Sequence, residues 1–140
     1  MINKAFKGKL STDQQDRIHL AGGDTDTGYK IRKFQAISNS PAGISPEAVL
    51  KIYSVKQTGV DFAIDFNDDT LLGVLFYDTR PDIFTAQTVI FDTDVVNQDI
   101  YITCATTDGD INYYLELEEV KMSKGEQAVV NFSAALLHGE

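Results

Sequence analysis

Apolar and polar residues alternate along much of this chain with a period of two, the spacing of a half-buried β-strand. Residues 1–12 put Ala5, Lys7 and Lys9 on one parity and Phe6, Gly8 and Leu10 on the other. That pattern leaves a short first strand and an extended N-terminal arm both open. Ser11 to Gly28 (STDQQDRIHLAGGDTDTG) is polar and rich in Gly and Asp, and predicts a loop with one short turn around Asp16–Leu20. Tyr29–Ser38 predicts a strand. Tyr29 and Ile31 share one parity, Phe34 and Ala36 the other, and a bulge at Arg32–Lys33 restores the inward face. Asn39–Glu47, with Pro41, Gly43 and Pro46, predicts a turn segment. Ala48–Lys56 predicts a strand with Leu50 and Ile52 on one face and Val49, Tyr53 and Val55 on the other.

Val60–Phe66 alternates again, with Phe62, Ile64 and Phe66 in phase, and predicts a further strand. Thr70–Tyr77 (TLLGVLFY) is a continuous apolar run, as expected of a strand buried on both faces. Thr85–Phe91 predicts another. Asp99–Thr106 and Ile111–Met122 flank Thr107–Asp108–Gly109–Asp110, and Asp-Gly between alternating runs is a hairpin signal. Ile111, Tyr113, Leu115 and Leu117 are in phase; Val120 and Met122 are not, which predicts a second bulge near Glu118–Glu119. After that the period changes. Ser123 and Glu126 match a capping box, and Val129, Phe132 and Leu136 follow at helical spacing. Residues 123–138 therefore predict a C-terminal helix. Short strands without intervening helices favour an antiparallel arrangement. The expected fold is mainly β: one antiparallel β-sandwich domain over residues 1–140, jelly-roll-like, with one C-terminal helix.

The 140 residues carry a net charge of −9, with 12 Lys and Arg against 21 Asp and Glu. So acidic a chain repels phosphate backbones, so no nucleic-acid partner is expected. No apolar run approaches the roughly 18 residues of a membrane helix, and the N-terminus has no secretory h-region. Cys104 alone supplies neither a disulfide nor a thiolate cluster.

Candidate chemistry is sparse. Asp24–Thr25–Asp26, Asp65 with Asp68–Asp69, Asp92–Thr93–Asp94 and Asp108–Gly109–Asp110 have the oxygen ligands calcium takes, but none follows the EF-hand spacing. Asp also dominates turns because it bonds its own backbone, so turn chemistry is the expectation for each. His19 and His138 have no metal-ligand spacing, and Cys104 falls on the inward parity of its strand. No phosphate loop or nucleophile elbow is present. The expectation is no catalytic residue, no metal, no cofactor and no small-molecule substrate. Lys30–Ile31–Arg32–Lys33 is a basic patch in an acidic chain: a solvated strand face, or a contact for an acidic partner surface. Tyr101 and Tyr114 are expected on the outer face of the predicted hairpin, which leaves open an interface, where exposed Tyr is enriched, and a second covered face within a sandwich.

Four stretches resemble small virion structural proteins of marine tailed bacteriophages: Ala48–Val55 (AVLKIYSV), Asp65–Asp78 (DFNDDTLLGVLFYD), Val89–Thr103 (VIFDTDVVNQDIYIT) and Ile111–Ser123 (INYYLELEEVKMS). The resemblance implies a capsid- or tail-associated building block of the virion and transfers no active-site residue. The expectation is a capsid decoration or cement protein, made in the host cytoplasm and homo-oligomeric, that binds the major capsid protein or other virion proteins. Its expected contacts are Lys4, Phe6, Lys7 and Lys9 in the N-terminal segment, with Tyr101 and Tyr114. The alternatives are a tail, neck or fibre component, or a carbohydrate- or calcium-binding β-sandwich module.

Overall fold

The computed structural model describes residues 2–20, 26–44, 46–78, 86–92 and 94–123. Among these, eight strands run in the order β1 (Ile2–Leu10), β2 (Gln14–Ile18), β3 (Thr27–Ser38), β4 (Glu47–Tyr53), β5 (Leu71–Asp78), β6 (Ala86–Phe91), β7 (Ile100–Thr106) and β8 (Ile111–Lys121). They form two antiparallel sheets, β1-β8-β3 and β2-β7-β4-β5-β6. The pairing is nested: β1 takes β8, β2 takes β7, and β4 takes β5. β6 pairs with β5. It also reaches β3, where the Gln87 amide accepts from Ala36 N at 3.3 Å and donates to Ala36 O at 3.1 Å. One side-chain amide thus stands in for a ladder partner at the open edge of β3.

The inward residues of both sheets make one hydrophobic cluster. Phe34, Leu115 and Leu117 from one sheet meet Leu50, Ile52, Leu75, Ile100, Ile102 and Cys104 from the other. Strict alternation along β8 places Ile111, Tyr113, Leu115 and Leu117 inside and leaves Asn112, Tyr114, Glu116 and Glu118 on the outer face. The Tyr113 ring lies so close over β1 that a Cβ on Gly8 would sit 2.6 Å from it. Its hydroxyl donates to Asp16 Oδ2 at 2.8 Å, tying the two sheets together where β1 passes to β2. The predicted bulge in β3 is present, as a register shift between Ile31 and Lys33 opposite β8. It lets Ile31 pair with Leu117 and Phe34 with Leu115, so both apolar halves of β3 face the core.

Several expectations are corrected. The predicted loop over Ser11–Gly28 contains a strand, β2, whose only buried residue is Ile18. An edge strand with one wet face needs few apolar residues, and QQDRI has one. Asp13, at φ 67°, makes the tight turn into it. Val60–Phe66 is not a strand: Phe62, Ile64 and Phe66 are exposed in a loop. There Asp61 accepts from Ala63 N and Asp65 from Asn67 N, local bonds that compete with a ladder. The expected hairpin does not form, because β7 and β8 belong to different sheets. Their apolar faces meet across the core instead of lying side by side. The turn, with Gly109 at φ 70°, carries the chain from one layer to the other. Each side of it bonds elsewhere, Thr107 N to Glu47 O and Asn39 N to Asp110 O. No bulge occurs at Glu118–Glu119, where both neighbours keep an unbroken register. Met122 is buried just past the strand, its N–H bonded to Asp26 O. The predicted helix within residues 123–138 lies, from residue 124 on, outside the described residues.

Candidate functional site

Pairing with β8 decides where the N-terminal candidates go. Residues 2–10, left open between strand and arm by the sequence, form strand β1. Lys4 pairs with Leu117 and Phe6 with Leu115, both inward-facing positions. Lys4 Nζ donates to the Tyr29 hydroxyl at 3.3 Å and lies 5.3 Å from the Tyr29 ring centroid, a cation–π contact at the rim of the core. Phe6 packs half-buried against the core cluster. Both residues have the inward parity of β1 rather than that of its outer face, although Lys4 remains exposed at the rim. Lys7 and Lys9 pair with Tyr114 and Asn112, are exposed, and stand on the outer face.

The other edge of that face comes from β3. Lys30 pairs with Glu118, Lys33 with Glu116, Gln35 with Tyr114 and Ile37 with Asn112. Arg32, in the bulge, donates to Glu118 Oε1 at 2.9 Å. The outer face of β1-β8-β3 is therefore a central stripe of Asn112, Tyr114, Glu116 and Glu118 flanked by cations on both sides. Lys7, Lys9, Lys30, Arg32 and Lys33 outnumber Glu116 and Glu118, on a chain whose net charge is −9. Among the described residues Lys7, Lys9, Lys30 and Lys33 make no ion pair. Tyr114 donates to Glu116 Oε1 at 3.1 Å, and that bond, more than the slight desolvation and the carboxylate's charge, raises its hydroxyl pKa. A shallow depression of about 360 Å³ opens between Lys7, Ile37, Gln87 and Tyr114. Ile37 is 53% exposed there, a large apolar side chain with no cover.

The far side of the molecule differs. On the outer face of the five-stranded sheet, Val49, Lys51, Tyr53, Val74, Thr103 and Ala105 are all buried. The loop between β4 and β5 is fastened to this face by Lys51, whose Nζ donates to Ala63 O at 2.6 Å and Asp61 Oδ1 at 3.1 Å. Gln15 and Gln57 join the loop to the edge strand β2 by a reciprocal pair of bonds at 2.9 and 3.0 Å. Residues 57–70 carry Asp61, Asp65, Asp68 and Asp69 and no basic residue. Phe62, Ile64 and Phe66 stand 42, 41 and 66% exposed among them. Tyr101 belongs to this sheet, half-buried between Arg17 and Tyr53 in register. Tyr101 and Tyr114 thus do not share an outer tyrosine face; they point to opposite sides of the molecule.

Of the remaining candidates, Asp24, Thr25, Thr93 and His138 lie outside the described residues, and several of the others have structural partners. Asp68 Oδ1 accepts from Thr70 N and Oγ1, at 2.9 and 2.6 Å, and Asp110 accepts from the Ser11 hydroxyl at 2.7 Å. The Asp68 bonds are local turn bonds, and the Asp110 bond ties the turn after β7 to the end of β1. Partial burial, and then the charge of Asp92, raises the carboxyl pKa of Asp94. Among the described residues no three His, Cys, Asp or Glu side chains are grouped to hold a metal. His19 Nδ1 lies 3.2 Å from Asp99, whose carboxylate also accepts from Leu20 N and pairs with Arg17. Cys104 is fully buried; burial first, then the charges of Asp110 and Asp13, pushes its thiol up to about 12. A thiol so raised is protonated at neutral pH and is no nucleophile.

Sequence reasoning noticed the Lys30–Lys33 patch but not that β8 brings it beside Lys7 and Lys9. It also took the exposed row Phe62, Ile64 and Phe66 for one face of a strand. The signal available for the first was parity: the outward positions of a central strand gather the outward positions of both neighbours. No family model matches this chain, and no curated protein matches it.

Proposed function

We propose that this chain is a virion structural protein of a tailed bacteriophage, acting as a capsid decoration or cement protein that binds the shell by surface complementarity. The observation that carries the reading is the outer face of β1-β8-β3, a broad, open, cation-rich surface on an acidic chain. Such a face fits recognition of an acidic protein surface, since complementary potentials steer encounter and exclude wrong partners. We read the two sheets as a jelly-roll-like sandwich. The nested pairing of β1 with β8, β2 with β7 and β4 with β5, and the Gln87 link from β6 to β3, supports this wrap. Jelly rolls recur among viral capsid domains, and also among lectins and cupins, so fold adds only an analogy. The sequence resemblance to phage virion proteins over Ala48–Ser123 points the same way. In this reading Lys7, Lys9, Lys30, Lys33 and Tyr114 contact the partner, the protein is homo-oligomeric, and it catalyses nothing.

The test is the purified particle of the virus that encodes the chain. Copy number by quantitative mass spectrometry, with a cryo-electron-microscopy map, should give hundreds of copies spread over the shell, with the β1-β8-β3 face toward it. Density restricted to the tail vertex at tens of copies or fewer would make it a tail or neck component. Absence from the particle would end the virion reading.

A further inference from the structure

The outer face of β1-β8-β3 and the β4–β5 loop carry charge of opposite sign. The inner faces of the two sheets share one core, so their outer faces look away from each other. One outer face carries Lys7, Lys9, Lys30 and Lys33. The other is crossed by the loop that presents Asp61, Asp65, Asp68 and Asp69. Each side also exposes apolar surface: Ile37 beside the depression near Tyr114 on the basic side, and Phe62, Ile64 and Phe66 on the acidic side.

We propose that copies of this chain associate head to tail, the Asp61–Asp69 loop of one copy seating on the outer face of β1-β8-β3 of the next. Opposite charge draws these two surfaces together, and the exposed Phe residues find apolar cover against Ile37 and Tyr114. The symmetric alternatives set basic face on basic face, or acidic loop on acidic loop, and like charges oppose both. A contact between two different surfaces of identical subunits is heterologous, and closes into a ring or extends as a chain according to its rotation. The loop is ready for the role because Lys51 already holds it at Ala63, so little ordering entropy is lost on docking. The proposal deepens the decoration reading, since it names the oligomer that such a protein would form before or on the shell.

Sedimentation velocity on the full chain tests it. Self-association should grow with concentration and weaken about tenfold or more from about 0.1 M to about 1 M salt, as the Debye length falls from about 10 to about 3 Å. Lys30→Glu with Lys33→Glu should abolish it, and so should Asp65→Lys with Asp69→Lys. Lys7→Glu with Lys9→Glu reads the same basic face from another strand, should either β3 change unfold the chain. Mixing the β3 and loop variants should restore association, because each then meets a complementary surface on the other. A wild type that stays monomeric at about 0.5 mM in about 0.1 M salt overturns the proposal, as that caps affinity below the range of specific assemblies. So does failure of the mixture to reassociate. A monomeric protein found in quantity on particles would remove this proposal and leave the virion reading standing. Head-to-tail oligomers of a protein missing from particles would do the reverse.

Discussion

The two outer faces of this molecule both belong to antiparallel sheets and treat their outward residues in opposite ways. On β8 the outward set Asn112, Tyr114, Glu116 and Glu118 is half-buried and polar, and the sheet around it lies open. On β4, β5 and β7 the outward set Val49, Lys51, Val74, Thr103 and Ala105 is buried as deeply as the core. The first pattern reads as clean alternation and the second as nearly continuous apolar runs, because a strand covered on both faces has no wet side to mark. The difference also decides which charges can recognise a partner. Lys51, on the covered face, has its ammonium taken up by Asp61 and the Ala63 carbonyl. The lysines of the open face stay available to solvent and to other molecules.

The largest effect is expected from a charge placed on the covered face. Val49→Asp buries a carboxylate beside Phe76 and Ala105, while Lys51, two residues along the same face, already has its ammonium held by Asp61 and the Ala63 carbonyl; the change should cost about 3 kcal/mol or more. Gln35→Asp, outward on β3 and exposed, should cost under about 1 kcal/mol. Urea unfolding of both variants checks the contrast. Similar midpoints would mean that the two faces are equally wet and that the distinction fails.

This contrast also explains what could be read in advance. The bulged β3 and the runs of β4 and β5 were legible because their patterns reflect local burial alone. β2 was not, since Ile18 is its single buried residue and an edge strand leaves little else to see. Val60–Phe66 alternates as a strand does, but alternation does not supply a partner, and Asp61 and Asp65 bond the local backbone instead. The Asp-Gly turn announced a reversal without saying whether β8 would return beside β7 or across the core from it. The site suffered from the same gap. Lys7 and Lys9 were legible as outward residues, but Lys4 and Phe6 take their inward parity from pairing with Leu117 and Leu115 more than a hundred residues away. The meeting of Lys7 and Lys9 with Lys30 and Lys33 depends on that same long-range register.

A pH dependence sharpens the comparison from the inside of the covered sheet. Cys104 faces the core, and its folded pKa is about 12, against about 8.5 for a free thiol. The raised value means that the folded state keeps the proton which the unfolded state gives up. The contribution is therefore full below about pH 8.5 and is lost as pH rises toward 12. Between about pH 8 and about pH 10, wild type should lose about 2 kcal/mol more than Cys104→Ala does. Tyr113, raised chiefly by burial and also by its bond to Asp16, adds the same loss to both proteins. The difference between the two stability curves is thus the readout, and parallel curves would contradict a buried, raised thiol.

A gain is expected beside it. Thr103 is fully buried on the outer side of β7, and its Oγ1 has no hydrogen-bond partner among the described residues. Thr103→Val keeps the shape and removes the orphaned hydroxyl, so it should stabilise the protein by up to about 1 kcal/mol. Thermal unfolding measures it. The same substitution at the exposed Thr58 should change little, since water already satisfies that hydroxyl.

The smallest global effect, and the most local one, belongs to Lys51→Met. Methionine keeps most of the buried stem and drops the cost of holding an ammonium out of water, so overall stability should stay within about 1 kcal/mol of wild type. Asp61 is 74% exposed and returns to solvent at little cost, because an exposed partner contributes weakly to an ion pair. What the change removes is the 2.6 Å bond to Ala63 O that fastens the loop to the sheet. Local opening over residues 57–69 should then become about tenfold more frequent, corresponding to about 1.4 kcal/mol of local free energy. Limited proteolysis within the loop reads that opening, while the urea midpoint reads the whole fold. Faster cleavage at an unchanged midpoint would establish Lys51 as the tether of the acidic loop. Cleavage unchanged from wild type would mean that the contacts at Gln15 and Gln57 suffice, and that the covered face does not depend on its one buried cation.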